Sequence, residues 1–151
     1  MGGDLAGSVV SRLRSLRSAL TPYLAVSVGG ALGATARYLV ASWAATHWGT
    51  QFPLGTLLIN VSGSCVLGVY LTLAIERFTG NPAVRLLVAT GFLGAYTTFS
   101  TFSVEALSLI ESGDAAAALA YVVASVVLSI VAAAIGMIVA HTLLFRLTKG
   151  A

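Results

Sequence analysis

Residues 91–103 read GFLGAYTTFSTFS. Six hydroxyl-bearing side chains fall in the eight residues from 96 to 103: Tyr96, Thr97, Thr98, Ser100, Thr101 and Ser103. Phe99 and Phe102 interrupt them at i, i+3, Gly91 and Gly94 precede them, and Glu105 follows. A helix facing lipid gains nothing from such a run. Ser and Thr do re-satisfy backbone groups where a helix breaks inside a membrane, and half-helices meeting at mid-membrane turn carbonyls and amides toward ions. The segment therefore reads as a broken helix lining an ion path, with a polar helix packed inside a bundle as the alternative.

Three further groups belong with it. In GTLLINVSGSCVLG (55–68), Asn60, Ser64 and Gly68 recur every four residues, with Gly63 beside the line. The Asn60 amide supplies donors and an acceptor; it either meets an ion or joins two helices as polar glue. Tyr121, Ser125 and Ser129 form a hydroxyl stripe at the same spacing. Arg37 lies four residues after Gly33, itself four after Gly29, so it shares the face on which small residues admit another helix closely. That face turns Arg37 toward protein or water. The other reading is snorkelling, since Ala45 is only about 12 Å further along the helix.

Donors dominate this set. Arg favours anions at a pore mouth, and phenyl ring edges are weakly positive, so Phe99 and Phe102 could face an anion edge-on. A small anion that accepts strong hydrogen bonds fits best. No catalytic constellation accompanies these residues: there is no paired carboxylate, GxSxG, HExxH or phosphate-binding loop. His47 and His141 have no metal-ligand spacing, and the chain is expected not to be an enzyme. Glu105 is the one carboxylate inside an apolar stretch, which leaves a proton-coupled carrier open.

The elements that carry these residues follow from composition. Of 151 residues, 58% are hydrophobic and 9% charged, against about 25% charged in a soluble domain. Thirteen charges cannot cover a soluble surface, and the mean hydropathy of +0.96 agrees. The basic residues sit at segment ends rather than on one face, which argues against a nucleic-acid partner. A single cysteine, Cys65, excludes an intramolecular disulfide and reads as a small packing residue.

Four stretches reach the roughly 20 apolar residues a bilayer requires: 24–45, 54–75, 84–110 and 115–145. The expected fold is thus an all-α membrane protein of four transmembrane helices, the third broken mid-membrane, over 22–147. Asn81-Pro82 signals a turn that opens a helix, and the ESGD of Glu111–Asp114 signals a turn and N-cap. Trp43, Trp48 and Phe52 suit an interfacial aromatic belt. Residues 1–21 carry Arg12, Arg14 and Arg17, with Val9, Leu13, Leu16 and Leu20 at helical spacing. They read as a cytoplasmic tail, either disordered or an interfacial helix. Arg12, Arg14, Arg17, Arg77, Arg85, Arg146 and Lys149 all fall on one side of a four-span topology, and the opposite joints hold none. The excess of Lys and Arg in cytoplasmic loops then predicts both termini in the cytoplasm.

GGALGATARY (29–38), GTLLINVSGSCVLG and TTFSTFS (97–103) resemble, in order, the signature segments of the fluoride channel family, CrcB or Fluc. The resemblance covers almost the whole chain after residue 21. It implies an antiparallel dimer of four-span subunits with two pores in the cell (plasma) membrane, which passively exports cytoplasmic fluoride. It implies a central structural sodium ion held by the backbone carbonyls of Gly94 and Thr97 from both subunits. Asn60 would donate to fluoride, Phe99 and Phe102 would be pore phenylalanines, and Arg37 would stand at the vestibule. Tyr121, Ser125 and Ser129 would extend the polar track, with Thr101 and Glu105 near it. Ala95 and Tyr96 depart from the frequent Gly and Phe of the family, which touches local packing. The charge bias departs further. Lys and Arg set orientation, and seven against none predicts insertion one way only, with an oppositely oriented paralogue as partner in a heterodimer. Two other readings remain: a proton-coupled small multidrug-type exporter, which needs an acid in the first span where this chain has Arg37, and a non-conducting membrane assembly subunit.

Overall fold

A computed structural model describes residues 2–76 and 81–149; Arg77, counted above among the basic residues between the spans, lies outside the described residues. Most of the described residues are helical, with no strand among them. Helix α1 spans Gly2–Trp48, α2 Leu54–Glu76 and α3 Pro82–Arg85; a π-helical segment Leu86–Leu93 leads into α4, Gly94–Tyr96; α5 is Phe99–Glu111 and α6 Ala115–Lys149.

Local chemistry sets most of the boundaries. Gly49 ends α1 with φ +77°, and its N–H donates to the Ala45 carbonyl at 3.0 Å, a left-handed helix stop. Asn81 Oδ1 accepts the Ala83 N–H at 3.0 Å with Pro82 at the first helical position. After α5 the chain turns at Gly113 (φ +86°), and Asp114 Oδ1 caps α6 by accepting the Ala117 N–H at 2.9 Å. Residues 2–21 continue α1 in helical form through Pro22.

Among the described residues, three helices are long and apolar enough to cross a membrane, within 7–48, 54–74 and 115–147. The stretch expected as the third span, 84–110, is divided between α3, the π-helical segment, α4 and α5, so no single piece reaches that length. α2 packs along α6, and α1 along the π-helical segment. Glycine permits both approaches: a Cβ on Gly29 would meet the Leu87 carbonyl, and one on Gly68 the Ala133 carbonyl. Wide π-helical turns are rare and recur at functional positions; here the turns lie directly against Gly29 and Gly33. Large apolar side chains such as Val127, Ile130 and Ile138 stand on the outside. An apolar exterior of this kind suits lipid or a second chain rather than water.

Candidate functional site

The centre of the site is the gap between α4 and α5. Thr97 (φ −77°, ψ 155°) and Thr98 (φ −149°, ψ 124°) are extended. Gly63 of α2 allows this close passage, since a Cβ there would meet the Thr97 methyl and the Tyr96 ring. One turn earlier on α2, Asn60 clamps the gap. Its Nδ2 donates to the Thr98 carbonyl at 3.0 Å, and its Oδ1 accepts the Thr98 N–H at 2.9 Å. A continuing helix would have given that N–H to the Gly94 carbonyl. Asn60 is thus backbone glue and retains its second N–H for another partner.

Thr98 also caps α5. Its Oγ1 accepts the Thr101 N–H at 3.2 Å and donates to Thr101 Oγ1 at 3.0 Å, as a threonine N-cap should. Thr97 N–H and Oγ1 both donate to the Leu93 carbonyl, at 3.1 and 3.0 Å. Tyr96, the residue that departs from the frequent Phe, shares a hydrogen bond of 3.1 Å with Ser62 and stacks on Phe92. Its hydroxyl therefore ties α4 to α2.

Beside the gap lies a cavity of about 340 Å³, lined by Asn60, Ser64, Thr97, Thr98, Phe99, Phe102, Ser125 and Ser129 with apolar neighbours. It gathers the polar lines of α2 and α6 onto the gap. Phe102 is buried while Phe99 is 78% exposed on this single chain, their ring centroids 5.4 Å apart. Ser125 is buried, and its Oγ has no hydrogen-bond partner among the described residues. A buried hydroxyl without a partner points to water or a ligand.

A second cavity, about 400 Å³, is lined by Phe52, Thr56, Glu105, Ser108 and Ser112 among others. Between the two lies fully buried Tyr121. Its ring contacts Phe102 at 5.3 Å and Phe52 at 5.7 Å between centroids. Its hydroxyl donates to Glu105 Oε2 at 2.7 Å, and Thr56 donates to Oε1 at 2.9 Å. Thr101 is exposed and held by Thr98. Arg37 is half-buried on α1 and lines neither cavity.

Three residues here escaped the sequence reading. Thr56 lies one turn before Asn60 on the line 56, 60, 64, 68, so extending that stripe would have found it. Ser62 lies off the stripe and is recruited by Tyr96. Phe52, assigned above to the interfacial belt with Trp43 and Trp48, instead packs edge-on against Tyr121. The short turn after Gly49 returns it to the core, while Trp43 and Trp48 stay exposed.

The family model described as "CrcB-like protein, Camphor Resistance (CrcB)" matches residues 24–137. The chain belongs to the CrcB family. The matched residues hold the whole gap, both cavities and the α2 and α6 polar lines. A protein of Rhizobium etli named "Fluoride-specific ion channel FluC" is 47% identical over 120 residues, covering 80% of this chain and 96% of the relative. One of the same name from Hahella chejuensis is 44% identical over 119 residues, 79% of this chain and 94% of the relative. A third, from Legionella pneumophila strain Lens, is 50% identical over 94 residues, 62% of this chain and 70% of the relative.

Proposed function

We propose that this CrcB-family chain is a subunit of a fluoride-specific channel that passively exports cytoplasmic fluoride across the cell membrane. The observation that carries the reading is the cavity that Asn60, Phe99, Phe102 and Ser125 line together, where the buried Ser125 hydroxyl has no hydrogen-bond partner among the described residues. A bare small anion in a dry site needs hydroxyl and amide donors at short range, and this cavity presents them between phenyl rings. Fluoride would pass along Ser129 and Ser125 to Phe102 and Tyr121, and then to the Thr56–Glu105 side. No bond is made or broken.

In this reading the third membrane span is the sequence from α3 to α5, broken mid-membrane at Thr97 and Thr98, and two subunits pack antiparallel to form two pores. The exposure of Phe99 and of Gly94 on one chain supports a second subunit against the gap. The residues fit the sodium ion that the family implies. Among the described residues, no backbone N–H pairs with the Gly94 or Thr97 carbonyl, because the Thr98 N–H goes to Asn60 and the Thr101 N–H to Thr98 Oγ1. Unwound carbonyls of this kind suit a hard cation. Gly94 and Thr97 of both subunits would hold it, and when bound it supplies a fixed positive charge between them. Arg37 would stand at the vestibule. The one-sided distribution of Lys and Arg supports cytoplasmic termini and a heterodimer with an oppositely oriented paralogue.

Fluoride release from liposomes holding this chain alone, read with a fluoride electrode, tests the proposal. Rapid release without a proton gradient is expected if a homodimer conducts. If the chain alone is silent, release should appear on adding the oppositely biased paralogue; silence in both arrangements refutes the channel reading. Reporter fusions at the carboxyl terminus test orientation, and equal signals from both sides of the membrane would overturn one-way insertion.

A further inference from the structure

The first 23 residues lie outside the stretch that matches the family, yet they continue α1 to a total of 47 residues, about 70 Å of helix. Roughly 20 of those residues suffice to span a bilayer, so about 40 Å of helix extends past the hydrocarbon. That extension is two-faced. At 100° per residue, Val9, Leu13, Leu16 and Leu20 fall within a narrow stripe, while Ser8, Ser11, Ser15 and Ser18 fall on the opposite side. Arg12 and Arg17 flank the apolar stripe, and Arg14 lies toward the serines. Val9, Leu16 and Leu20 are each more than half exposed, and all three arginines are exposed. Asp4 is the only acid before Glu76, so residues 5–21 hold three arginines and no acid. A projecting helix would leave this stripe in water.

Pro22 sits where the extension joins the span. It has no N–H to give the Ser18 carbonyl and crowds the preceding turn, which makes it a natural bend. Thr21 Oγ1 donates back to the Arg17 carbonyl at 2.7 Å, a contact that also favours bending. Exposed Arg85 adds a further cation on α3, which packs against α1.

We propose that residues 5–21 fold over at Pro22 and lie in the membrane interface as a lipid-sensing helix, its apolar stripe in the acyl boundary and its arginines on anionic lipid headgroups. The occupant of the exposed face is the bilayer that holds α1 itself. Neutral lipid would hold the stripe weakly, because four aliphatic side chains on a short helix give marginal binding. Each arginine near an anionic surface adds about fivefold to the bound population, so three add on the order of a hundredfold. The attraction screens with salt over a Debye length of about 10 Å at 0.1 M and about 3 Å at 1 M.

The test uses the full chain with Cys65→Ala, which removes the one native cysteine, reconstituted in vesicles. An environment-sensitive dye is attached at Leu16→Cys on the apolar stripe or at Ser18→Cys on the serine face. In vesicles of equal parts phosphatidylcholine and phosphatidylglycerol, the dye at position 16 should shift to the blue and be quenched by brominated lipid, while that at 18 should report water. In phosphatidylcholine alone, at 1 M salt, or with Arg12, Arg14 and Arg17 all changed to Gln, the signal at 16 should return toward that of 18. Equal signals at 16 and 18, or an interfacial signal at 16 that ignores lipid charge and the three substitutions, would overturn the proposal. The readout does not involve fluoride, so it is independent of the conduction reading.

Discussion

Ser125→Ala separates a channel donor from a structural hydroxyl, because the two roles predict opposite signs. The Ser125 side chain is buried on α6, one turn beyond Tyr121 and one before Ser129, and its Oγ has no hydrogen-bond partner among the described residues. An unpaired buried hydroxyl costs about 1–3 kcal/mol. The lower end suits a membrane protein, where polar pairs across helices average about 0.6 kcal/mol. Alanine keeps the Cβ and deletes only the oxygen, beside a cavity that already exists, so little packing is lost. The fluoride-free protein should therefore become more stable by about 1 kcal/mol, roughly fivefold in its folded-to-unfolded ratio. With fluoride present the sign reverses. A hydrogen bond to an ion contributes about 1.5–3 kcal/mol, so losing this donor should lower anion occupancy about 10- to 150-fold. Thermal unfolding of purified protein in chloride buffer reads the first effect, and fluoride release from liposomes reads the second. A variant that unfolds earlier without fluoride yet conducts like the parent would refute the reasoning, since the hydroxyl would then be a structural group.

Asn60→Leu removes both partners of the Thr98 backbone and leaves two polar groups unpaired at about 1–3 kcal/mol each; it should unfold markedly earlier and release no fluoride, with Asn60→Asp, which keeps only the acceptor, in between. Gly29→Ala drives a methyl into the Leu87 carbonyl, whereas a Cβ on Gly30 meets nothing within 4 Å. The first should cost at least about 1–3 kcal/mol and the second less than about 0.5 kcal/mol, compared by thermal unfolding. Tyr121→Phe keeps the ring between Phe102 and Phe52 but deletes the donor to Glu105. It should destabilise by about 1.5–3 kcal/mol, and adding Thr56→Val should cost less than the sum of the two, because both donors serve one carboxylate.

What could be read in advance was what depends on near neighbours in the chain. The turn at Asn81-Pro82 and the cap at Asp114 are local hydrogen-bonding chemistry, and both stand in the structure. The lines 60, 64, 68 and 121, 125, 129 follow from helical period alone, and Ser64, Ser125 and Ser129 meet Asn60 at one cavity. Thr56 was readable by the same rule. Ser62 and Phe52 were not: the first depends on where the Tyr96 hydroxyl lands, the second on how tightly the chain turns after Gly49. The π-helical segment was equally hidden. Its sequence LLVATGFL is an ordinary apolar run, and its wide turns lie where Gly29, Gly33 and Gly91 bring two backbones into contact. The glycines are visible in the sequence, but the element they admit is not.

The gap between α4 and α5 shows why that division falls where it does. A hydroxyl-rich run alone fits either an intact packed helix or a broken one. Asn60, 38 residues away, offers the Thr98 N–H an acceptor at 2.9 Å and the Thr98 carbonyl a donor at 3.0 Å, and in the proposed channel that pairing decides for the broken one. Once Thr98 turns to Asn60, the Gly94 carbonyl loses its helical partner, and once Thr98 Oγ1 takes the Thr101 N–H, so does that of Thr97. The Asn60 amide thereby frees the Gly94 carbonyl, and the Thr98 hydroxyl frees that of Thr97. In the proposed channel those carbonyls and the exposed Phe99 ring meet the second subunit, so the residue that braces the fold is also the one that prepares its assembly. That coupling predicts that Asn60→Leu loses the paired subunit before it loses helix content. Size-exclusion chromatography and circular dichroism on the same sample would show it, and a variant that stays paired while its helices melt would contradict it.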